Sequence, residues 1–246
     1  WKANGGSRTT FTESGANPGG GYQANTTAGF SIVDYTGTGS AGTVSHGLGA
    51  EPKVLIVKNR DATTDWAVYH RNASSAGNDS YLELNTSDAV ATAGTVWNDT
   101  SPSSSVFTVG TNTKTNTDGE KYIAYCFTEV KGYSKFGSYT GNASANGPFV
   151  YTGFKPAWVM VKNAGGVDNW ALHDHKRPGY NGNDGELFPN ENYAESTGTV
   201  RFDFLSNGFK IRHTGSAINS NGQNIVYMAF AENPFVTSKG APTTAE

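Results

Sequence analysis

Apolar and polar positions of this chain alternate over short stretches that turn-forming residues separate. Val54–Lys58 is a β-branched run too short for a helix, and Trp66–His70 alternates as a returning strand. Two such stretches joined by a short loop predict an antiparallel hairpin. Further strands are predicted at Phe30–Tyr35, Tyr81–Leu84, Thr95–Trp97, Val106–Val109 and Tyr122–Thr128. Because no segment longer than about ten residues has a capped helical period, we expect essentially no α-helix and an all-β fold.

The same pattern occurs twice at a fixed spacing. A shift of 104 positions places Tyr35–Arg71 on Tyr139–His175 with 12 identities in 37 positions and no gap. The identities include Tyr35–Gly37 with Tyr139–Gly141, Pro52 with Pro156, Lys58–Asn59 with Lys162–Asn163, and Trp66–Ala67 with Trp170–Ala171. A spacing that stays constant through loops of different composition indicates a duplicated structural unit.

The repeat predicts two tandem antiparallel β-sandwich domains related by internal duplication, at residues 29–130 and 131–236. Within each copy, turn signals recur about every 8–15 residues, a rhythm typical of a sandwich. The closing strand Ile225–Ala231 of the second copy aligns with Tyr122–Thr128 of the first copy. Large apolar residues alternate along both closing strands, which predicts that these positions face the core: Ile123, Tyr125 and Phe127, and Val226, Met228 and Phe230.

The two ends of the chain differ from the repeats. Trp1–Asn4 is similar to the ends of both units, so residues 1–28 are expected to hold the end of a preceding repeat and a linker. From Gly5 to Ala28 the residues are mostly Gly, Ser, Thr, Asn and Pro, which offer little to a core. Residues 237–246 are expected to form a tail.

Composition and charge narrow the function classes. Charged residues make up 16% of the chain, Gly numbers 31 and aromatic residues make up 12%, a balance that suits short strands joined by tight turns. With 18 basic and 21 acidic residues and no basic run, no nucleic-acid partner is expected. No apolar run approaches the roughly 18 residues that cross a bilayer, so no membrane insertion is expected. Cys126 is the only cysteine and cannot form an internal disulfide.

The duplication also tests candidate catalytic residues, because a site used by both units should occur in both copies. None of the five histidines does, which excludes a shared Ser-His-Asp or metal site. His173 and His175 are a candidate metal-ligating pair, since residues i and i+2 of a strand share a face. A trimer assembled about that face would bring six imidazole nitrogens together. The alternative is an exposed polar strand face, and no metal or other cofactor is predicted.

Carboxylates give no enzyme signature either. Glycoside hydrolysis uses two carboxylates about 5–10 Å apart across a cleft, whereas the acidic residues here are scattered along the chain. Gly19–Gly21 lacks the strand-to-helix context of a phosphate loop. The prediction is therefore a protein that is not an enzyme.

Aromatic and loop residues offer two places for recognition. Trp66 and Trp170 occur in both copies, and a core role is favoured over a sugar-stacking platform. Phe127 and Phe230 are likewise assigned to the structural core of their units. The second unit's loop combines a planar cation, an aromatic face and amide groups, which suits a polyhydroxylated ligand. Its candidate ligand-binding residues are Arg177, Tyr180, Asn181, Asn183 and Asp184. The alternative is an ordinary solvent-facing loop.

Both halves of the chain also carry runs with a family resemblance. The first half has Ala28–Val33, Tyr35–Gly37, His46–Gly49, Pro52, Val57–Arg60 and Trp66, and the second has Lys135–Gly141, Gly153–Lys162 and Met228–Phe235. From Ala28 to Phe235 the chain resembles tandem-repeat virion structural proteins of tailed bacteriophages. The resemblance implies sandwich units of concanavalin-like, jelly-roll type along a tail fibre or another virion appendage. It carries over no functional residue.

Together these observations predict a segment of a bacteriophage tail fibre or adhesin, located on the virion surface. Its expected partners are a host cell-surface glycan or receptor, other virion proteins and further copies of the chain, with a trimer as a candidate assembly. One alternative is a capsid decoration protein or another purely structural virion protein. A second alternative is a polysaccharide depolymerase.

Overall fold

The structure, a computed structural model, describes residues 1–3, 6–74, 78–177 and 181–233. The strands are β1 (Thr9–Phe11), β2 (Gly19–Asn25), β3 (Phe30–Thr36), β4 (Gly42–Ser45), β5 (Val54–Asn59), β6 (Ala67–His70), β7 (Ser80–Glu83), β8 (Ala91–Thr92), β9 (Val106–Val109), β10 (Lys121–Phe127), β11 (Ser134–Thr140), β12 (Phe149–Tyr151), β13 (Pro156–Asn163), β14 (Ala171–Asp174), β15 (Phe202–Leu205), β16 (Gly208–Ile211) and β17 (Asn224–Ala231). The helices are α1 (Gly94–Trp97) and α2 (Ser216–Asn219). The all-β prediction is confirmed, since both helices are single turns. Neither of these described helices has the length and apolarity to cross a membrane.

The chain forms two compact units. Of the described residues, unit 1 comprises those within Trp1–Leu84 and Ala91–Glu129, and unit 2 comprises Asn85–Val90 and those from Val130 to Asn233. Each unit has its own antiparallel sheets and its own cluster of buried side chains.

Unit 1 is built on an eight-stranded antiparallel sheet in the order β1-β2-β3-β10-β5-β6-β7-β8. β10 lies near its middle, where Tyr122 is paired with Tyr35 on one side and with Asn59 on the other. A second sheet pairs β4 with β9. The core draws fully buried side chains from both sheets: Val33, Leu55, Val57, Tyr122 and Ala124 from the first, and Val44, Phe107 and Val109 from the second.

The segment expected as a linker contains two strands of this sheet. β2 pairs with β3 along its whole length, and β1 pairs with β2. The glycines that suggested a linker are required by close packing, because a Cβ at Gly20 would lie 2.0 Å from the Asp34 carbonyl oxygen. Glycine in a strand often marks such a close approach of two backbones, which composition alone does not reveal.

Unit 2 has a four-stranded antiparallel sheet in the order β11-β17-β13-β14 and a three-stranded sheet in the order β12-β16-β15. Its core again combines residues of both sheets. The fully buried members include Val159, Val161, Ile225 and Ala229 from the four-stranded sheet and Phe202, Phe209 and Ile211 from the three-stranded sheet.

The core face expected for the closing strands is wrong for Ile123 and Tyr125 of β10, whereas Phe127 and the three predicted residues of β17 are buried. In β10 the fully buried core residues are Tyr122, Ala124 and Cys126, whereas Ile123 and Tyr125 are half-buried. In β17 the core takes Ile225, Tyr227 and Ala229, although the alternate residues are buried as well. Side-chain size therefore did not identify the face, because it carries large residues such as Tyr122 and Tyr227 together with small ones such as Ala124 and Ala229.

The predicted strand at Thr95–Trp97 is instead part of α1. This turn ends at Asn98, whose φ of 51° is the left-handed conformation that asparagine tolerates at a helix end. Val96 and Trp97 are both buried in the unit 1 core, and the Trp97 ring contacts Tyr69 edge-on. A helix of four residues with two apolar side chains, Val96 and Trp97, is too short to reveal a helical period in the sequence.

The residues assigned to the structural core differ in burial. Trp170 is 2% exposed, whereas Trp66 is half-buried and lies just before β6. Phe127 is buried against Phe30, and Phe230 is buried against Phe136. The fully buried tryptophan of the unit 1 core cluster is Trp97.

One asparagine side chain ties together three loops of unit 1. Asn116 Oδ1 accepts the Thr38 N–H at 2.8 Å, and Nδ2 donates to the Ser40 and Gly110 carbonyls at 2.6 and 2.7 Å. The preceding Thr115 carbonyl accepts the buried Tyr35 hydroxyl at 2.7 Å.

Unit 2 contains the same set of hydrogen bonds. Asn219 Oδ1 accepts the Asn142 N–H, and Nδ2 donates to the Ser144 and His213 carbonyls, all at 2.8 Å. The Tyr139 hydroxyl donates to the Ile218 carbonyl at 2.7 Å. Each of the six residues in these four bonds follows its unit 1 counterpart by 103 or 104 positions.

Candidate functional site

The candidate ligand-binding loop of unit 2 uses its charged residues internally. Arg177 donates from Nε to Asp174 at 2.6 Å and from Nη1 to Glu195 at 2.7 Å. Asp184 Oδ2 accepts the Gly198 N–H at 3.0 Å. These contacts hold neighbouring loop segments together, so the same groups are not free to face a ligand.

Its asparagines have similar roles. Asn181 donates to the Phe204 carbonyl and accepts the Phe204 N–H, both at 2.9 Å. Asn183 is 1% exposed and donates to the Asp174 carbonyl at 2.6 Å. Tyr180 lies outside the described residues. The described members of the predicted set are thus brought to the same region but are engaged with the protein itself.

The candidate metal pair is divided between two environments. His173 is fully buried, its Nδ1 lies 3.1 Å from the Gly185 carbonyl, and its Nε2 lies 3.5 Å from Glu186. His175 Nε2 instead lies 3.1 Å from Glu232. Among the residues that the structure describes, no group of three or more His, Cys, Asp or Glu side chains could hold a metal ion.

Glu186 is the centre of a buried charge network in unit 2. It is 4% exposed and forms an ion pair with Arg201 at 3.0 Å, in addition to its contact with His173. Burial opposes its ionisation, but the neighbouring His173 and the charge of Arg201 lower the pKa of Glu186 below its usual value. The network fixes the loop before β15 to the strand β14, a structural role that the scattered charges in the sequence did not suggest.

A polar cleft of about 430 Å³ lies on unit 1. Five charged residues contribute to its lining: Arg8, Glu13, Asp34, Arg60 and Lys121. Arg8 donates to both carboxylate oxygens of Asp34, at 2.7 and 2.5 Å. In the part of the chain that the structure describes, Arg60 and Lys121 have no ion-pair partner. No sequence signal marks this cleft, because its basic residues are far apart in the chain.

Two aromatic side chains project from the edge strand β12 of unit 2. Phe149 is 46% exposed and Tyr151 is 64% exposed, while Val150 between them is buried in the core. Since alternate residues of a strand share a face, the two side chains project from the same face, with their Cα atoms about 7 Å apart along the strand. We call Phe149 and Tyr151 the aromatic pair. The alternation of aromatic and apolar residues was its only signal in the sequence.

Charged side chains lie beside the aromatic pair. Lys210 of β16 is the direct partner of Phe149, and Asp203 of β15 is the next residue in that row. Asp203 also forms an ion pair with Arg212. Lys210 Nζ donates to the Gly147 carbonyl at 2.6 Å, and Asp203 also accepts the Gly182 N–H at 3.2 Å, so the charged groups beside the two exposed rings are engaged within unit 2.

The fold and these exposed features define an all-β protein of antiparallel sheets, without a metal cluster among the described residues. Residues 1–234 match a family described as a domain of unknown function, DUF7483, and the chain belongs to this family. Comparisons with curated proteins and with solved structures find no match. The resemblance to bacteriophage virion proteins stays a prediction, since the family description carries no function.

Proposed function

We propose that this chain is a non-catalytic adhesin segment of a bacteriophage virion, on the particle surface, that attaches to a glycan of the host cell. The observation that carries the proposal is the aromatic pair. The resemblance of the repeats to tail-fibre proteins supports the viral setting, and the low charge of the chain suits recognition of a hydroxyl-rich ligand.

The aromatic pair has the chemistry of a saccharide platform. The C–H face of a pyranose ring is apolar and packs on an aromatic ring, while its hydroxyl groups hydrogen-bond to polar neighbours. Two aromatic side chains whose Cα atoms are about 7 Å apart along one strand face can serve adjacent sugar residues. Single exposed apolar residues are common on protein surfaces, but two large ones side by side are less so. Lys210 and Asp203 lie in the same row, but Lys210 donates to the Gly147 carbonyl at 2.6 Å and Asp203 pairs with Arg212, so the proposal depends on the rings.

We also infer that the two units are tandem β-sandwiches of jelly-roll, concanavalin-like type that arose by duplication. The repeated hydrogen bonds of Asn116 and Asn219 support this inference, because equivalent side chains hold equivalent loops. Strand pairing supports it as well: β10 lies between β3 and β5 in unit 1, as β17 lies between β11 and β13 in unit 2.

The proposed recognition surface belongs to unit 2 alone. At the spacing of 104 residues, Phe149 and Tyr151 correspond to Ser45 and Gly47 in unit 1. A feature that serves folding would be expected in both copies. Exposed rings in one copy only are more consistent with a ligand than with the fold.

A glycan array tests the proposal with three forms of the chain: wild type, the double variant Phe149→Ala/Tyr151→Ala, and the control Tyr193→Ala. Tyr193 is an aromatic residue of unit 2 with comparable exposure, 61%. Wild type and control should bind the same glycans, and the double variant should lose at least about tenfold in affinity. Binding that survives in the double variant would contradict the proposal.

The same experiment separates the alternatives. A purely structural virion protein would bind no glycan in any form. A depolymerase would release oligosaccharide from a bound polysaccharide, which chromatography of the supernatant detects. The ion pair that holds Asp34 to Arg8 in the unit 1 cleft favours binding over hydrolysis, because that carboxylate is already engaged.

Assembly is part of the proposal. As a segment of a virion appendage, the chain is expected to contact other virion proteins and further copies of itself, with a trimer as the candidate state. Light scattering coupled to size-exclusion chromatography should give a mass near three chains. A mass of one chain at all concentrations would contradict the assembly.

A further inference from the structure

We propose that the polar cleft of unit 1 is a binding site for an oxyanion, and that Arg60 and Lys121 are the residues that bind it. The cleft belongs to unit 1 and the aromatic pair to unit 2, so this proposal does not depend on glycan binding at the aromatic pair. Its ligand class is a carboxylate or phosphate carried by a small, hydroxyl-rich molecule such as an acidic sugar.

The first argument is the position of the two cations. Arg60 directly follows β5, and its backbone N–H donates to the carbonyl of Lys121, the first residue of β10, at 2.7 Å. The two residues are therefore opposite each other on neighbouring strands. Like charges in this arrangement repel each other and destabilise a sheet. An anion bound between them would remove the repulsion.

The second argument is that these two cations are available. Arg8, the third cation of the cleft, is engaged with Asp34. Neither Arg60 nor Lys121 forms an ion pair within the described residues, although both line the cleft. The carboxylate of Asp61, the residue after Arg60, accepts the backbone N–H of Lys121 at 2.8 Å.

The third argument is the shape of the cleft floor. Lys121 is paired with Thr36, and Thr36 is paired with Gly19, so a hydroxyl and then a position without a side chain continue the same row. A Cβ at Gly19 would lie 2.7 Å from the backbone nitrogen of Glu13. The backbone of Glu13 therefore covers Gly19, and the side-chain group that this row adds to the cleft beside the two cations is the Thr36 hydroxyl. A hydroxyl next to two cations suits an anion attached to a polar body.

The net charge of the cleft indicates how much negative charge the ligand carries. Three basic and two acidic residues line it, so one positive charge is in excess. A single carboxylate or phosphate satisfies this excess. Glu13 remains as a hydrogen-bond acceptor for hydroxyl groups, which favours an acidic sugar over a bare inorganic ion.

Thermal unfolding at constant ionic strength tests the proposal. The probes are sodium glucuronate, inorganic phosphate and glucose, with sodium chloride as the ionic-strength control. We expect glucuronate to raise the Tm of the wild-type chain, whereas glucose and sodium chloride leave it unchanged. Phosphate tests whether an oxyanion without a sugar binds. A Tm shift equal to that with glucuronate assigns binding to the charge, and a smaller shift assigns part of the binding to the sugar.

Variants locate the site. Arg60→Ala/Lys121→Ala should abolish the Tm shift and lower glucuronate affinity at least about tenfold in calorimetry. Lys2→Ala removes an exposed unit 1 lysine outside the cleft and should retain the shift. Without ligand the double variant should be as stable as wild type or more so, because one repulsive contact is gone. Two results overturn the proposal: no Tm shift in wild type with either anion, or a shift that persists in the double variant.

Discussion

At the residue scale, the least expected group is the ammonium of Lys162. Its side chain is fully buried, and Nζ donates to the carbonyls of Asn163 and Gly166 at 2.7 and 3.1 Å. Burial lowers the pKa of Lys162 to about 8, although Asp168 and Asp88 act in the opposite direction. The equivalent Lys58 of unit 1 donates to three carbonyls of its own turn but is only half-buried. The lysine that both copies share therefore holds the turn after a central strand.

This buried lysine predicts a pH dependence of stability. The unfolded chain keeps the Lys162 proton until about pH 10.5, whereas the folded protein releases it near pH 8, so stability should rise with pH between these values. From about pH 7 to pH 9.5 the contribution is about 2 kcal/mol. Urea unfolding should show the free energy of wild type rising by this amount relative to Lys162→Met. Parallel pH profiles of the two proteins would contradict the assignment.

A second prediction at this scale concerns Asn219. Asn219→Ala leaves the Asn142 N–H and two carbonyls without their partner and should lower the free energy of unfolding by about 3 kcal/mol. The exposed neighbour Asn221 is the control, and Asn221→Ala should stay within about 0.5 kcal/mol of wild type. Denaturant titration measures both, and equal effects of the two substitutions would show that the hydrogen bonds are not important.

At the scale of elements, β1 and β2 are the part of the unit 1 sheet most dependent on glycine. Gly20→Ala places a methyl group against the backbone of β3 and should weaken the pairing of β2 by about 1–3 kcal/mol. Hydrogen exchange should accelerate in β1 and β2 while β5 and β10 stay protected. Thr9→Ala on exposed β1 is the control and should exchange like wild type. Equally faster hydrogen exchange in all strands of unit 1 would contradict the prediction that only β1 and β2 are weakened.

Elements with strong apolar patterns were predictable, and those shaped by tertiary contacts were not. The predicted strand Val106–Val109 matches β9, and Val54–Lys58 differs from β5 by one residue. β2 was missed because its glycines are required by close contact with the backbone of β3, and a local sequence pattern does not show such a contact. α1 was missed because a single turn is fixed by its cap and by burial of Trp97.

At the scale of the whole molecule, the repeat was visible in the sequence but the candidate sites were not. Arg60 and Lys121 are 61 positions apart and become neighbours only through the pairing of β5 with β10. The predicted loop residues Arg177 and Asn183 had suitable chemistry, but their partners within unit 2 lie on other elements. Sequence shows which groups a chain carries, whereas their availability depends on what folding places beside them.

The central claim is attachment through unit 2, and an adsorption assay tests it most directly. Under the proposed function, the purified chain is mixed with cells of the proposed host before the proposed source bacteriophage is added, and free phage is counted. We predict that the wild-type chain inhibits adsorption in a dose-dependent manner and that Phe149→Ala/Tyr151→Ala, folded to the same extent by circular dichroism, does not. Equal inhibition by both proteins, or none by the wild type, would contradict the account.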